Sequence, residues 1–387
     1  MIDADLVVIG AGPVGAALAM LLARSGRRVT LLDRATFPRD KACGEGLLPS
    51  GVRVLRDLGL DLAQLGFPAL RGVRYRSAGG RSAAAPFRNG CGRGVRRVTL
   101  DAVLAERAAA TPGVHFHPGC PLVAIARDRR GIEVRTGLGS LWARALVGAD
   151  GLRSTTARLL GRARPPRGPA RYGVVGHLAC DRMPPEVVVT LLGEVEVYTA
   201  PTGRDELLVA LLGSRKALFP DGGVLDRFRA VVERAHPELA GAPLRGRLRG
   251  AGPFRVRARP VAGEGVFLAG DAAGFTDPLT GDGIAAGLAQ AEVLAGLLAP
   301  ERLDLADPRQ LARAALRYRS WWGRQWRRRR LLAGLALRLG RSTALAHRAL
   351  DGLARRPESL TALLEVDDGG RALTSLGPRD WAALVGL

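Results

Sequence analysis

Leu6-Val-Val-Ile9-Gly10-Ala-Gly12-Pro-Val-Gly15 opens the chain with a short apolar run that feeds a glycine-spaced turn. Such a run fits a strand buried on both faces of a parallel sheet, and the Ala/Leu-rich stretch after it, to about Ser25, reads as a helix. Each glycine has a task. Gly10 permits the tight turn, Gly12 leaves room for backbone to approach a pyrophosphate, and Gly15 lets helix and strand pack closely. Unpaired N–H groups at the helix start attract the anion. A second strand, Arg28 to Leu32, ends on Asp33, at the distance expected of an acid that accepts hydrogen bonds from an adenosine ribose. The fold class is therefore α/β, with a Rossmann-like dinucleotide-binding domain at its start.

About 260 residues later the chain reads Gly265-Val-Phe-Leu-Ala-Gly-Asp271-Ala-Ala-Gly-Phe-Thr-Asp-Pro278-Leu-Thr-Gly-Asp-Gly283-Ile284. Val266 to Ala269 reads as another buried strand, and Asp271 at its tip suits the hydroxyls of a second sugar or ribityl chain. The helix starting near Gly283 points its N-terminal dipole beyond them. That dipole suits a flavin N1–C2=O edge, which becomes negative on reduction. Two glycine-rich turns far apart in sequence thus predict one long cofactor gripped at both ends.

The opening turn, the middle Val147-Gly-Ala-Asp150-Gly151-Leu-Arg-Ser and the late Gly270-Asp271 segment resemble, in that order, three FAD fingerprints. They are those of the flavoprotein superfamily that contains p-hydroxybenzoate hydroxylase-like monooxygenases, geranylgeranyl reductases and flavin-dependent halogenases. The likeness spans about residues 1 to 300 and implies a glutathione-reductase-type FAD domain, an inserted β-sheet substrate domain and a helical C-terminal region. A further stretch, Phe37-Pro-Arg-Asp-Lys41-Ala-Cys43-Gly44-Glu45-Gly46-Leu-Leu-Pro49, resembles the Cys-Gly segment of geranylgeranyl reductases, and its two ends resemble halogenases. The resemblance implies that Gly44 and Gly46 lie against the flavin and that Arg97 contacts the pyrophosphate. Gly10, Gly12, Gly15, Asp33, Arg34, Val123, Asp271, Gly283 and Ile284 complete the expected FAD set. Cys43 is a candidate pocket residue, set against the simpler reading of a small buried hydrophobe.

Departures narrow the branch. Many aromatic hydroxylases of this superfamily carry His where this chain has Gly274. The Trp-x-Trp-x-Ile-Pro signature of tryptophan halogenases is absent, and the comparable stretch is Glu196-Val-Tyr198-Thr-Ala-Pro201. The two lysines, Lys41 and Lys216, are not where a halogenase lysine is expected.

The 387 residues suit two domains better than one small module. The start lacks a basic n-region, no uncharged apolar run reaches the ~18 residues of a membrane helix, and the four cysteines show no metal or disulfide spacing. A cytoplasmic enzyme without metal is the expectation. A net charge of +22 invites a nucleic-acid reading, but the arginines spread over the whole length without any nucleic-acid-binding signature, so no nucleic-acid partner is expected. The denser 318–339 segment interleaves Trp, Arg and aliphatic residues. It reads as a helix packing its apolar stripe inward, with peripheral membrane contact as the alternative.

Residues 1–70, 97–163 and 251–300 are assigned to a discontinuous FAD domain, 71–96 and 170–250 to the substrate sheet, and 301–387 to C-terminal helices, with a linker over 164–169. Tyr198 and Pro201 are candidate pocket residues. His115 and His117 flank Phe116 in a strand and show no third metal ligand.

Three functions remain open. The favoured one is an FAD-dependent monooxygenase that hydroxylates or epoxidises a hydrophobic or aromatic small molecule with O₂ through a flavin C4a-hydroperoxide. The second, implied by the geranylgeranyl reductase likeness, is flavin hydride transfer to an isolated C=C bond of a prenyl lipid. A non-catalytic basic binding module is the third. For either enzyme NAD(P)H is the expected transient electron donor, and no residue announces itself as catalytic.

Overall fold

The computed structural model describes residues 2–166, 168–219 and 223–386. Met1, Leu387 and, in the expected linker, Arg167 lie outside them. The opening apolar run forms the strand Ala4–Ile9, fully interior from Leu6 to Val8. It pairs in parallel with Val29–Leu32 on one side and with the long strand Gly139–Gly148 on the other. Val266–Leu268 adds in parallel beyond Gly139–Gly148, and Val114–His117 beyond Val29–Leu32. His115 and His117 are therefore ladder residues of an outer strand. Leu122–Arg127 and Ile132–Thr136 join Gly139–Gly148 as an antiparallel meander, and the short Ala262–Gly263, antiparallel to Val266–Leu268, completes eight strands.

This strand order makes one site from three distant turns. Gly10, Asp150 and Gly270 all leave parallel strands at the same carboxyl edge, where ligands of open α/β sheets bind. Close packing at that edge excludes side chains. A Cβ on Gly15 would lie 1.8 Å from the Gly10 carbonyl oxygen, and one on Gly10, whose φ is +101°, would lie 2.6 Å from that of Ala149.

A second sheet of seven strands runs Leu244–Ala251, Arg171–Ala179, Glu206–Ser214, Val195–Pro201, Val187–Leu191, Gly72–Ser77 and Ser82–Pro86. Val195–Pro201 is buried throughout because helices cover one face and the first sheet's loops the other. The sheet borrows the 72–86 hairpin from early in the chain, where Val187–Leu191 pairs in parallel with Gly72–Ser77.

The segment 318–339 lies inside a single 34-residue helix, Pro308–Arg341. Its Tyr318, Trp322 and Trp326 face the core, and the two tryptophans stack at 5.0 Å. The aromatic half of the interfacial pattern is thus interior, which leaves Arg324, Arg327 and Arg330 on the outer face. The same tryptophans explain Gly274, since a Cβ there would lie 2.8 Å from the Trp326 ring and a histidine could not fit. Helices Thr343–Arg355 and Pro357–Asp368 then return the chain to the 72–86 hairpin. No helix of the described residues is long and apolar enough to cross a membrane.

Candidate active site

Gly12 is the N-cap of the helix Pro13–Arg24, in extended backbone that any residue adopts, so the glycine is needed for space. A Cβ there would point at two guanidinium nitrogens, Arg39 at 3.4 Å and Arg97 at 4.0 Å. Helix start, bare backbone and two cations form a cradle for a diphosphate. Arg97 is the first residue of the helix Arg97–Ala109. Its guanidinium donates twice to Asp101, both at 2.8 Å, and Arg39 meets the same carboxylate at 3.0 Å. Burial works against the Arg97 charge, but Asp101 and then Cys43 beside it raise its pKa, so it stays cationic.

Lys41 is a third cation at this edge, and the sequence reading missed it. Its Nζ lies 2.8 Å from where a Gly151 Cβ would be, and burial, followed by Arg97, lowers its pKa. An anion placed among Arg39, Lys41 and Arg97 would reverse that shift. The glycine pattern gave no hint of Lys41, because its role depends on how the 37–46 segment folds back over the sheet edge.

Asp33 ends its strand with the carboxylate accepting N–H bonds from Ala11 and Ala35, both at 2.8 Å. Arg34 beside it is exposed. Val123 is 58% exposed on the meander, and the backbone contacts of Asp33 with that part of the chain run through His117 and Cys120 instead. At the other end Asp271 is half-buried after Gly270, whose N–H donates to Gln290 at 3.0 Å. Tyr318 donates to the same Gln290 oxygen and to the Leu268 carbonyl, so the 34-residue helix helps fix the late turn. Gly283 and Ile284 begin the helix Gly283–Leu298, which packs against Pro13–Arg24 with Gly287 against Val14. Both helix N-termini therefore open toward the same edge.

Tyr198 lies between the Cys43–Gly46 segment and the turn at Gly281. A Cβ on Gly46 would lie 2.1 Å from its Oη, and Cβ atoms on Gly44 and Gly281 would lie 3.5 and 3.8 Å from its ring. Pro201, three residues on, falls on the opposite face of the strand. Its carbonyl instead occupies the place of a Gly94 side chain. Cys43 turns toward Arg97, with its Sγ accepting the Glu45 N–H at 3.4 Å. Glu45, buried at φ +55°, accepts the Arg97 N–H at 2.8 Å and pairs with His177 at 2.7 Å. This pair ties the Cys43–Gly46 segment to the seven-stranded sheet, and nothing in the sequence spacing links residues 132 apart.

A narrow cavity of about 20 Å³ lies against Gly46, Tyr198 and Thr280–Gly281, walled by Leu70, Val73, Val187 and Leu279. Asp367 from the helix Pro357–Asp368 closes one end. The same residue lines a wider cleft of about 430 Å³ between the helices Gly283–Leu298 and Pro308–Arg341, walled by Trp321, Trp322 and Trp326.

The FAD binding domain family matches residues 3–315. The chain belongs to that family. Menaquinone reductase of Mycobacterium tuberculosis is 34% identical over 331 residues, which cover 79% of this chain and 78% of that protein. Squalene epoxidase 3 of Arabidopsis thaliana is 26% identical over 345 residues, 80% of this chain and 63% of the epoxidase. In fold the flavoprotein is similar to the flavin-dependent brominase Bmp2, with a TM-score of 0.81 at 19% identity over 95% of this chain and 93% of the brominase. It is therefore an FAD-dependent enzyme of the flavoprotein monooxygenase superfamily, an oxidoreductase rather than a binding module that kept a nucleotide fold. The bare Gly12 backbone beside Arg39, Arg97 and Lys41 suits an anionic diphosphate in space and charge.

Proposed function

We propose that this flavoprotein reduces an isolated C=C bond in the hydrocarbon chain of a prenyl lipid, with bound FAD supplying the hydride. The observation that carries this reading is the 34% identity to menaquinone reductase over 79% of this chain. The cavity of about 20 Å³ beside Gly46 and Tyr198 would have to open to take an alkene chain, and further to take an aromatic ring. The tryptophan-walled cleft beyond Asp367 is large enough for a bulkier head. Similarity to menaquinone reductase and the Cys43-Gly44-Glu45-Gly46 segment both favour reduction.

In this reading the chain's residues bind and exclude. Gly10, Gly12, Gly15, Arg34, Arg39, Lys41 and Arg97 hold the adenosine diphosphate half, with Asp33 on its ribose. Val123 is proposed to touch the adenine from the meander. Asp271, Gly283 and Ile284 hold the ribityl–flavin half, and Gly44 and Gly46 face the ring. Tyr198 orders the pocket. NAD(P)H is proposed as the donor that visits the flavin and leaves.

A second reading is O₂-dependent epoxidation or hydroxylation of the same kind of substrate, favoured by the likeness to squalene epoxidase. Any membrane contact would use the outer arginine face of the 34-residue helix. Anaerobic incubation of reduced enzyme with menaquinone bearing an unsaturated tail separates the two readings. Loss of one tail double bond together with flavin reoxidation supports reduction. No turnover until O₂ is admitted, followed by an oxygenated product, supports the second.

A further inference from the structure

The narrow cavity is walled mainly by aliphatic and aromatic side chains, and Asp367 is the one carboxyl among its lining residues. Its Oδ1 is shielded from solvent and has no hydrogen-bond partner. The rest of the residue is exposed only in part, where it lines the cleft. Its neighbours do not neutralise it as an ion. Arg329, the nearest buried cation, is taken up by Asp282 through two hydrogen bonds, and Arg328 sends one guanidinium nitrogen to the Asp367 carbonyl at 3.4 Å. Asp368 is committed to Ser50, accepting its hydroxyl at 2.5 Å.

Burial, and then the Asp282 and Asp368 charges against the opposing pull of Arg329 and Arg328, raise the Asp367 pKa well above the carboxylate range. Across the cavity Tyr75 lies near enough to feel Asp367. Burial keeps Tyr75 and Tyr198 as phenols. An unpartnered buried carboxyl costs free energy unless it has work to do or a ligand to meet.

We propose that Asp367, standing between the narrow cavity and the cleft, is the proton donor to the substrate alkene. The inference rests on the reductase reading. Hydride with its electron pair reaches one alkene carbon from reduced FAD, and the π bond breaks as its electrons take the Asp367 proton onto the other carbon. Two C–H bonds form and the carboxyl O–H breaks. The alkene gains two electrons, the flavin loses two, and the Asp367 carboxylate recovers its proton from water in the cleft. Asp367 is assigned a catalytic role because it lines the space the alkene would fill.

The test uses FAD-loaded enzyme and Asp367→Asn, which keeps the shape and removes the proton. Three readouts are taken: difference infrared spectra in H₂O and D₂O, chemical reduction of the bound flavin, and anaerobic reoxidation by menaquinone with an unsaturated tail. The wild type should show a protonated-carboxyl carbonyl band at neutral pH that shifts in D₂O and is missing in the variant. The variant should take up electrons normally yet saturate the tail double bond, followed by mass analysis of the lipid, roughly 10²–10⁴-fold more slowly, the usual contribution of a positioned general acid. Should Asp367→Asn fold poorly, Asp367→Glu is expected to retain the band and part of the rate. A wild type lacking the band, or a variant that saturates the tail double bond as fast as wild type, overturns the proposal. A wild type that shows the band but never reduces the alkene overturns the reductase reading instead.

Discussion

The two ends of the active-site edge are built differently. At the diphosphate end, strand, turn and helix are contiguous, so Gly10, Gly12 and Gly15 sit within six residues and their spacing is the structure. At the narrow cavity, Tyr75, Tyr198 and Asp367 come from a borrowed hairpin, the middle of the second sheet and a C-terminal helix, and meet only through tertiary packing. Local chemistry leaves a local signature, whereas a cavity assembled from three distant elements leaves none. A cofactor site repeats because the cofactor does, while a pocket is free to differ.

The strongest way to break this contrast is Gly12→Val. It fills the cradle between Arg39 and Arg97 without straining the backbone, so it should abolish FAD retention, a loss of more than roughly 10³-fold in affinity, while the apoprotein still folds. A yellow Gly12→Val protein with wild-type affinity, read by flavin fluorescence titration, contradicts the cradle. Asp271→Ala should cost less, roughly 10–100-fold, since it removes hydrogen bonds to one sugar-like end and leaves the diphosphate site intact. An unchanged affinity would remove the second anchor.

Lys41 sharpens the comparison through pH. Its pKa in the folded apoprotein is lowered from the ordinary 10.5, so between the lowered value and 10.5 the unfolded chain holds the extra proton. In that window Lys41 makes the apoprotein more stable as pH rises. Bound FAD should flatten the slope by pairing the ammonium with phosphate, and Lys41→Met should remove it in both forms. Thermal melts of apoprotein and FAD-loaded protein across the window read this directly. Equal slopes with and without FAD would place Lys41 outside the diphosphate site.

The smallest effect concerns the junction between regions. Gly274→His would push Trp326 off the late turn and should destabilise the protein by about 1–3 kcal/mol, as overpacking does. A Gly274→His protein with an unchanged denaturation midpoint would show that the turn and the tryptophan stack are not coupled.

These contrasts show how far the sequence could be read. The parallel core, the meander 122–147 and the second-sheet strands from 171 to 214 were legible from periodicity, because their residues alternate or run apolar where one or both faces are buried. The strand Val195–Pro201 is buried on both faces, which hides the alternation that would mark its ends in the sequence. The tryptophan–arginine segment reads as an interior helix with an interfacial one as the alternative, because a helix covering a core and one covering a membrane share the same stripe. Only the packing of Trp322 and Trp326 against Gly274 distinguishes them. Glu45 with His177, and Lys41 with Gly151, were invisible for the same reason as Asp367: each acquires its partner only when distant segments close on one another.

The central claim is that the space beside the flavin serves hydride transfer to a slender alkene. Anaerobic stopped-flow mixing of the fully reduced flavoprotein with menaquinone carrying an unsaturated tail, with mass analysis of the lipid, tests it most directly. The account predicts reappearance of oxidised flavin without O₂ and a lipid heavier by two hydrogens in its tail. Flavin that stays reduced until O₂ is added, then passes through a peroxyflavin to an oxygenated product, would contradict it.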